Sequence, residues 1–413
     1  FLRDNCLPDG CQELKSWFDS APSNSKRSTG HAPWPISRTM TVPVATPRVR
    51  RKYIFVATPG GIEVQGGMAT MARYMITEWQ KDNRQPEIKL LNTYGPSLSN
   101  IKTMPFYFAA GVVSIAANGL LRRIAVLHLH MAEYGSVLRK GLLARLGKLL
   151  GIPVVIHMHG AKFTTMWQTA SPSRKAAMLG VLGDADAIVV LGQFWQQFLV
   201  EHLHQPASKI HIVANGVPDP GAKPVPANAP QNLNILFAGQ VGERKGVGDL
   251  LQALGRPNLR ELEWHLTIAG GGEIDRYRQL AQQLGIAERV TFLGWVDLDQ
   301  VSRQMRTADI FVLPSYQEGL PMAIIEAMAN ALPVVSTPVG SIPDMIRDGE
   351  TGLLVPAGDP AALSDALFRL LQSPEARAKI GAAARQLYLR DLTVSSMCDR
   401  LETIFNGLTP KKL

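Results

Sequence analysis

The stretch DIFVLPSYQEGLPMAIIEAMANALPVVST (309–337) reads as one strand–loop–helix–strand unit. The apolar run ending at Pro314 has strand character and the polar SYQEG after it is a loop. Pro321 stands where the first residue of a helix is favoured. Both flanking runs are continuously apolar rather than alternating, as in strands covered on both faces of a parallel sheet. Outward from this unit the same alternation fills most of the chain. Strand-like runs stand at YIFVAT (53–58), EIKLLNT (87–93), IAVLHLH (124–130), PVVIHMH (153–159), AIVVLG (187–192) and KIHIVAN (209–215), with helical stretches at 67–80, 136–150, 174–183 and 194–202. After a Pro/Ala-rich connector, GAKPVPANAP (221–230), they restart at NILFAG (234–239), WHLTIAG (264–270) and RVTFLG (289–294). The sequence therefore predicts an α/β protein of two doubly wound, Rossmann-like domains, with a ligand where the carboxyl ends of both sheets face a central cleft.

The expected boundaries are a disordered arm over 1–50, a first domain over 51–217, a second over 218–390, and a C-terminal helix over 391–413 that packs back on the first domain. A length of 413 residues with 46% apolar and 19% charged side chains suits two folded domains and excludes collagen-like, coiled-coil and wholly disordered classes. Three cysteines cannot form a disulfide framework and fit a reducing cytoplasm. The run PFYFAAGVVSIAANGLL (105–121) is short for a hydrocarbon slab of about 30 Å. It ends beside Arg122 and Arg123, so it reads as a core helix or as a membrane-facing helix with basic anchors. Net charge is +5 over 1–52, +7 over 53–217 and −3 over 218–413, so the first half is suited to an anionic surface. Nucleic acid is disfavoured, since no basic-aromatic stripe, zinc-finger spacing or RNP-like motif is present.

Chemistry concentrates at Glu318 and Glu326. Glu318 lies in the predicted loop, and Glu326 lies five residues past Pro321, about 7–8 Å along a helix axis. Amide groups around Gly319–Ala323 are unpaired helix-start donors at the positive end of the helix dipole, a natural seat for a diphosphate. The two carboxylates beside that seat repel phosphate but accept hydrogen bonds from sugar hydroxyls. Glu326 also interrupts the apolar run MAIIEAMA, where a charge without a partner is costly.

Glu318-Gly319-Leu320-Pro321 with Glu326 eight residues after Glu318 resembles the E-x7-E signature of retaining family-4 glycosyltransferases of the GT-B fold. The resemblance runs from Tyr53 to about Leu408 and extends to exopolysaccharide- and capsule-building members. AGQVGERKG (238–246) resembles the family's phosphate loop, VANGV (213–217) its interdomain hinge, and TGLLVPAGDP (351–360) its late strand and turn. The resemblance implies an acceptor-side first domain and a second domain that binds the nucleotide sugar. It implies that Glu318 meets hydroxyls of the donor sugar, Glu326 the ribose, and Lys245 the diphosphate, with Leu320, Pro321 and Met322 completing the donor seat. The family's usual arginine after the loop glycine is replaced here by Gln240, and Arg244 is the substitute cation next to Lys245. FLGWV (292–296) matches a position that contacts the base, making Trp295 and Val296 donor-side candidates.

PGGIEVQGGMATMARYM (59–75) places Gly66 and Gly67 just before a helix; it is not G-x-G-x-x-G, so a dinucleotide site is disfavoured. The resembled family uses such a pair for close approach to donor phosphate and acceptor. Two strands end in His-x-His, His128/His130 and His157/His159, and residues two apart share one face of a strand. A metal site there lacks suitably placed aspartates, with Glu133 alone nearby. HMHGAKF (157–163) resembles the family's cleft histidine stretch, which makes His159 a catalytic candidate beside Glu318 and Lys245. HLHMAEYGSVLRKG (128–141) resembles an acceptor-side segment, which makes His130, Ser136, Arg139 and Lys140 candidates for an anionic acceptor.

The resulting expectation is a retaining, metal-independent hexosyltransferase moving a sugar from a UDP- or GDP-sugar to a lipid-linked oligosaccharide or polysaccharide. The nucleotide sugar is a co-substrate, no cofactor is implied, and the protein is expected in the cytoplasm, peripheral on the inner face of the cytoplasmic membrane. The alternatives are a metal-dependent hydrolase built on the His-x-His pairs and a non-catalytic GT-B-like module.

Overall fold

The computed structural model describes residues 52–62, 64, 66–95, 102–221 and 232–409. The expected arm over 1–50 lies outside them.

Two six-stranded sheets, parallel throughout, organise the chain. The first contains β1 (Tyr53–Thr58), β2 (Glu87–Asn92), β3 (Ile124–Met131), β4 (Val154–Met158), β5 (Ala187–Val190) and β6 (Ile210–Ile212) in the order β2-β1-β3-β4-β5-β6. The second contains β7 (Leu233–Ala238), β8 (Trp264–Ala269), β9 (Val290–Gly294), β10 (Ile310–Leu313), β11 (Val334–Ser336) and β12 (Leu353–Leu354) in the order β12-β11-β10-β7-β8-β9. β3, β4, β5, β10 and β11 are buried at every residue, as continuous apolar runs require when helices cover both faces.

Each sheet changes winding direction once. In the first the change falls between β1 and β3, in the second between β7 and β10. Loops leaving the carboxyl ends of strands on either side of such a switch diverge and open a crevice. Those four loops carry Gly66–Gly67, Glu133, Gln240–Lys245 and Ser315–Glu318.

The lobes are joined twice. The chain passes from the first to the second at Val217 and returns at Thr393, and the two crossings touch: Val217 N donates to Leu392 O at 3.1 Å, and Tyr388 Oη to Val217 O at 3.1 Å. The final helix, Val394–Leu408, lies against helix Gly67–Lys81 of the first lobe. Phe405 covers Trp79 and His128, and Arg84 pairs with Asp399 and Glu402.

Candidate active site

Helix Met322–Ala329 starts one residue later than Pro321. Pro321 is extended, with ψ 118°, and caps the helix from outside. Having no N–H itself, it leaves Met322 and Ala323 to present the free amides, because Ile324 N already donates to Pro321 O at 3.1 Å. Met322, Ala323 and Glu326, one turn apart on one face, line a cleft cavity of about 970 Å³. Gln240, Trp295 and Val296 line it from the same lobe, and Gly66, Gly67, Thr70 and Arg73 from the other. Trp295 is 60% exposed, at the mouth of the cleft rather than in the core. Gly66, at φ 125°, needs glycine, whereas an added Cβ at Gly67 would make ordinary contact with Met322 Cγ at 3.6 Å.

Burial pushes the Glu326 carboxyl up to about 7, and among the described residues no donor reaches it. Glu318 is buried, and its contacts gather on one carboxylate oxygen. Lys245 Nζ donates to its Oε1 in a close ion pair, Ser315 Oγ donates to the same oxygen at 2.7 Å, and Arg244 Nη1 stands 3.9 Å away. Burial pulls the Lys245 ammonium below the ordinary lysine value, against the opposing pull of Glu318. Arg244 is turned onto the loop, donating to Gln317 O at 2.9 Å, while Tyr316 N donates back to Arg244 O at 2.9 Å. Leu320 and Pro321 are buried beneath the seat, and Gly319 passes so near the first lobe that a Cβ would sit 3.3 Å from His159 O.

Sequence reasoning reached neither the Lys245–Glu318 contact, made across 73 positions, nor Ser315 and Gly340. Gly340 has φ 58° and its absent Cβ would fall 2.1 Å from Glu318 O, so the loop after β11 braces the one after β10. Ser315 opens the SYQEG loop three residues before Glu318, a spacing that could have singled it out.

His128 and His130 of β3 and His157 of β4 form a ladder that ends with His159, one residue past β4 and across from Gly319 of the second lobe. Burial pushes His159 down to about 3 and holds His130 and His157 well below the usual histidine range, so the rings are neutral at pH 7. A neutral His159 can hold a sugar oxygen but stores no proton for general-acid work. His128, His130 and His157 bring one ring nitrogen each to within 4.8 Å of one another. The Nε2 of His128 and the Nδ1 of His157 already face each other at 3.2 Å, so these two rings meet as a hydrogen-bonded pair.

Beside the cleft, a second cavity of about 510 Å³ in the first lobe is lined by Tyr94, Glu133, Ser136 and Arg139 together with Gly66 and Gly67. Arg139 lies over the Tyr94 ring at 5.0 Å, and its Nε is buried without a partner among the described residues. The other two acceptor-side candidates do not line this cavity. His130 is fully buried, and Lys140, 1% exposed, donates to Thr93 Oγ1 at 2.7 Å behind it. Burial holds Lys140 well below the ordinary lysine value.

Residues 66–219 match the family described as Glycosyltransferase Family 4, and residues 222–387 that described as Glycosyl transferases group 1. D-inositol 3-phosphate glycosyltransferase of Corynebacterium diphtheriae is 29% identical over 335 residues, spanning 75% of this chain and 77% of the relative. Phosphatidyl-myo-inositol mannosyltransferase of Mycobacterium leprae is 39% identical over 160 residues, 38% of this chain and 42% of the relative. Sucrose-phosphate synthase from Thermosynechococcus elongatus shares the fold with a TM-score of 0.70 at 20% identity, over 87% of this chain and 99% of that one. Anabaena HepE, solved with UDP-glucose, shares it with a TM-score of 0.65 at 16% identity, over 86% of this chain and all of that one. With both halves of the chain matching this family in order and both sheets arranged as in these neighbours, the chain belongs to the family-4 glycosyltransferases and is built on the GT-B fold.

Proposed function

We propose that the protein transfers a hexose from a nucleoside diphosphate sugar, with retention and without a metal, to an acidic, lipid-linked saccharide acceptor at a membrane surface. The observation that carries this reading is Glu326 lining the cleft cavity beside Met322 and Ala323, with Glu318 held by Lys245 in the loop that leads into the same helix. In the donor complex the diphosphate lies on the free amides of Met322 and Ala323 and draws Lys245 toward itself, which frees Glu318 to accept from the sugar's hydroxyls. Glu326 accepts from the ribose. Leaving-group charge is then met by one ammonium and a helix start, which makes a metal unnecessary. Glu318 serves binding rather than attack, so the acceptor attacks on the face from which the diphosphate departs. Lobe closure keeps water from the donor.

The acceptor is assigned to the cavity at Arg139 and Ser136, where a guanidinium with no ion pair among the described residues suits an anionic group. The relatives' names specify phosphorylated inositol acceptors, which supports an acidic acceptor of that general kind. Association with a membrane is supported by Phe106, Val113 and Leu120 on helix Met104–Leu120, by Leu138, Leu142 and Leu149 on helix Gly135–Leu149, all exposed, and by Arg122 and Arg123 at their edge. No helix among the described residues is long and apolar enough to cross a membrane.

The reading is tested by thermal shift with UDP, GDP and ADP: a nucleotide at 100 times its Kd stabilises by about 2.7 kcal/mol. Glu326→Ala and Lys245→Ala are each expected to lose at least about 10²-fold in kcat/KM, roughly 3 kcal/mol. Wild-type rates in either variant would refute the assignment. A hydrolase on the histidine ladder would instead give stoichiometric zinc in the purified chain and activity lost to chelators. A many-fold gain from Gln240→Arg over weak turnover would mark the site as catalytically impaired.

A further inference from the structure

The histidine ladder contains more nitrogens than bonds. His128 Nε2 lies 3.2 Å from His157 Nδ1, and His130 Nδ1 lies 2.9 Å from His159 Nε2, the last two rings being parallel within 4°. His128 Nδ1, His157 Nε2 and His130 Nε2 are buried with no partner among the described residues. His159 Nδ1 is different: it makes no hydrogen bond among the described residues, yet it is not sealed in, because His159 is part-buried at the end of the ladder.

A neutral imidazole has one N–H and one lone pair, so the outer contact has a direction. If His159 donated from Nε2, His130 would accept at Nδ1 and carry its own proton on Nε2, leaving a buried N–H with nothing to accept it. If His130 donates from Nδ1, what remains buried and unmatched is a lone pair. The inner pair strands one buried N–H whichever ring donates, and orphaned N–H groups are the rarer and costlier defect, so the outer pair is the place where a second one is avoided. The second arrangement therefore holds, and His159, accepting at Nε2, must carry its proton on Nδ1.

We infer that His130 is a positioning residue whose Nδ1–H fixes both the ring plane and the tautomer of His159, so that His159 offers an N–H, not a lone pair, to the cleft. The group this recognises is an oxygen with lone pairs to give: a sugar hydroxyl acting as acceptor, or the carboxylate of an acidic sugar. A deoxy position there would leave the N–H unmet. What the N–H meets rests on the reading of the cleft as the donor-sugar site; the tautomer itself does not.

The test uses the full chain with ¹⁵N-labelled histidine and two-bond ¹H–¹⁵N correlation at pH 7, with His159→Gln to assign the ring. The expected result is a proton on His159 Nδ1. His130→Leu should scramble that tautomer and lower kcat by at least about 10-fold while the donor KM stays within about 3-fold, the signature of misplacement rather than lost binding. His130→Asn, whose side-chain amide can put an N–H where Nδ1 stood, should return kcat to within about 3-fold of wild type. A wild-type spectrum with the His159 proton on Nε2 overturns the inference even if His130→Leu does not fold, and so does an unchanged kcat in a folded His130→Leu. Absence of nucleotide binding would sink the proposed function instead, leaving the tautomer result to stand on its own.

Discussion

At the scale of the residue, Glu326 sets function against stability. Its carboxyl is raised from 4.5 to about 7 by burial alone, so between those values the folded chain holds a proton that the unfolded chain has released. Folding is therefore penalised increasingly as pH rises from 4.5, and the penalty is complete above about 7. Glu326→Gln should raise the melting temperature of the ligand-free protein at pH 8, with the gain shrinking toward pH 4.5, while donor affinity falls. An unchanged melting temperature at pH 8 would mean that the carboxylate has a counter-charge after all. Lys245 and Glu318 behave in the opposite way. Lys245→Met alone leaves the buried carboxylate to Ser315 and the more distant Arg244, at a cost of up to about 3–5 kcal/mol, and adding Glu318→Gln should recover most of that loss without restoring activity. Calorimetry of the two single variants and the double variant checks the coupling. The two glutamates were legible in the sequence because a charge inside MAIIEAMA and a polar loop before Pro321 violate the local pattern. The ion pair was not, because it depends on β7 and β10 being neighbours.

At the scale of the element, most strands were read to within a residue or two, since apolar runs leave a simple record; β6 is the exception, ending at Ile212 where the sequence reading ran to Asn215. Helix Met104–Leu120 was harder. It is apolar nearly all round, so periodicity could not say which face was covered. In the fold only Gly111, Ile115 and Gly119, a narrow stripe four residues apart, are buried against the lobe. Phe106 is 77% and Leu120 75% exposed. Phe106→Ser with Leu120→Ser should leave the melting temperature within about 1 kcal/mol of wild type, as surface changes do, and should cut flotation with anionic vesicles several-fold. Equal flotation would place membrane contact elsewhere. The acceptor-side segment shows the converse limit. His130, Ser136, Arg139 and Lys140 lie close in sequence, but strand alternation and helix rotation send two of them inward and leave Ser136 and Arg139 on the cavity.

At the scale of the whole molecule, polar contacts between loops also hold the lobes together. Gln193 N at one helix start donates to Asp344 Oδ2 of the other lobe at 2.7 Å, and Gln317 Nε2 donates to Thr165 Oγ1 at 3.1 Å. Asp344→Ala removes the first latch and should enlarge the nucleotide-free radius of gyration in small-angle scattering, a difference that saturating nucleotide erases. Equal radii would show that the latch holds nothing. The count of two lobes was evident from the restart of the strand pattern, whereas latches between distant loops leave no periodic trace.

The touching passages at Val217 and Thr393, with the last helix laid over Trp79 and His128, bear on anyone who would dissect this enzyme. A gene stopped just before residue 391 yields a front half stripped of one wall of its own interior, and an isolated back half begins and ends on severed threads. The practical unit of expression is the chain with its tail, and a shortened clone should be recovered from inclusion bodies rather than solution.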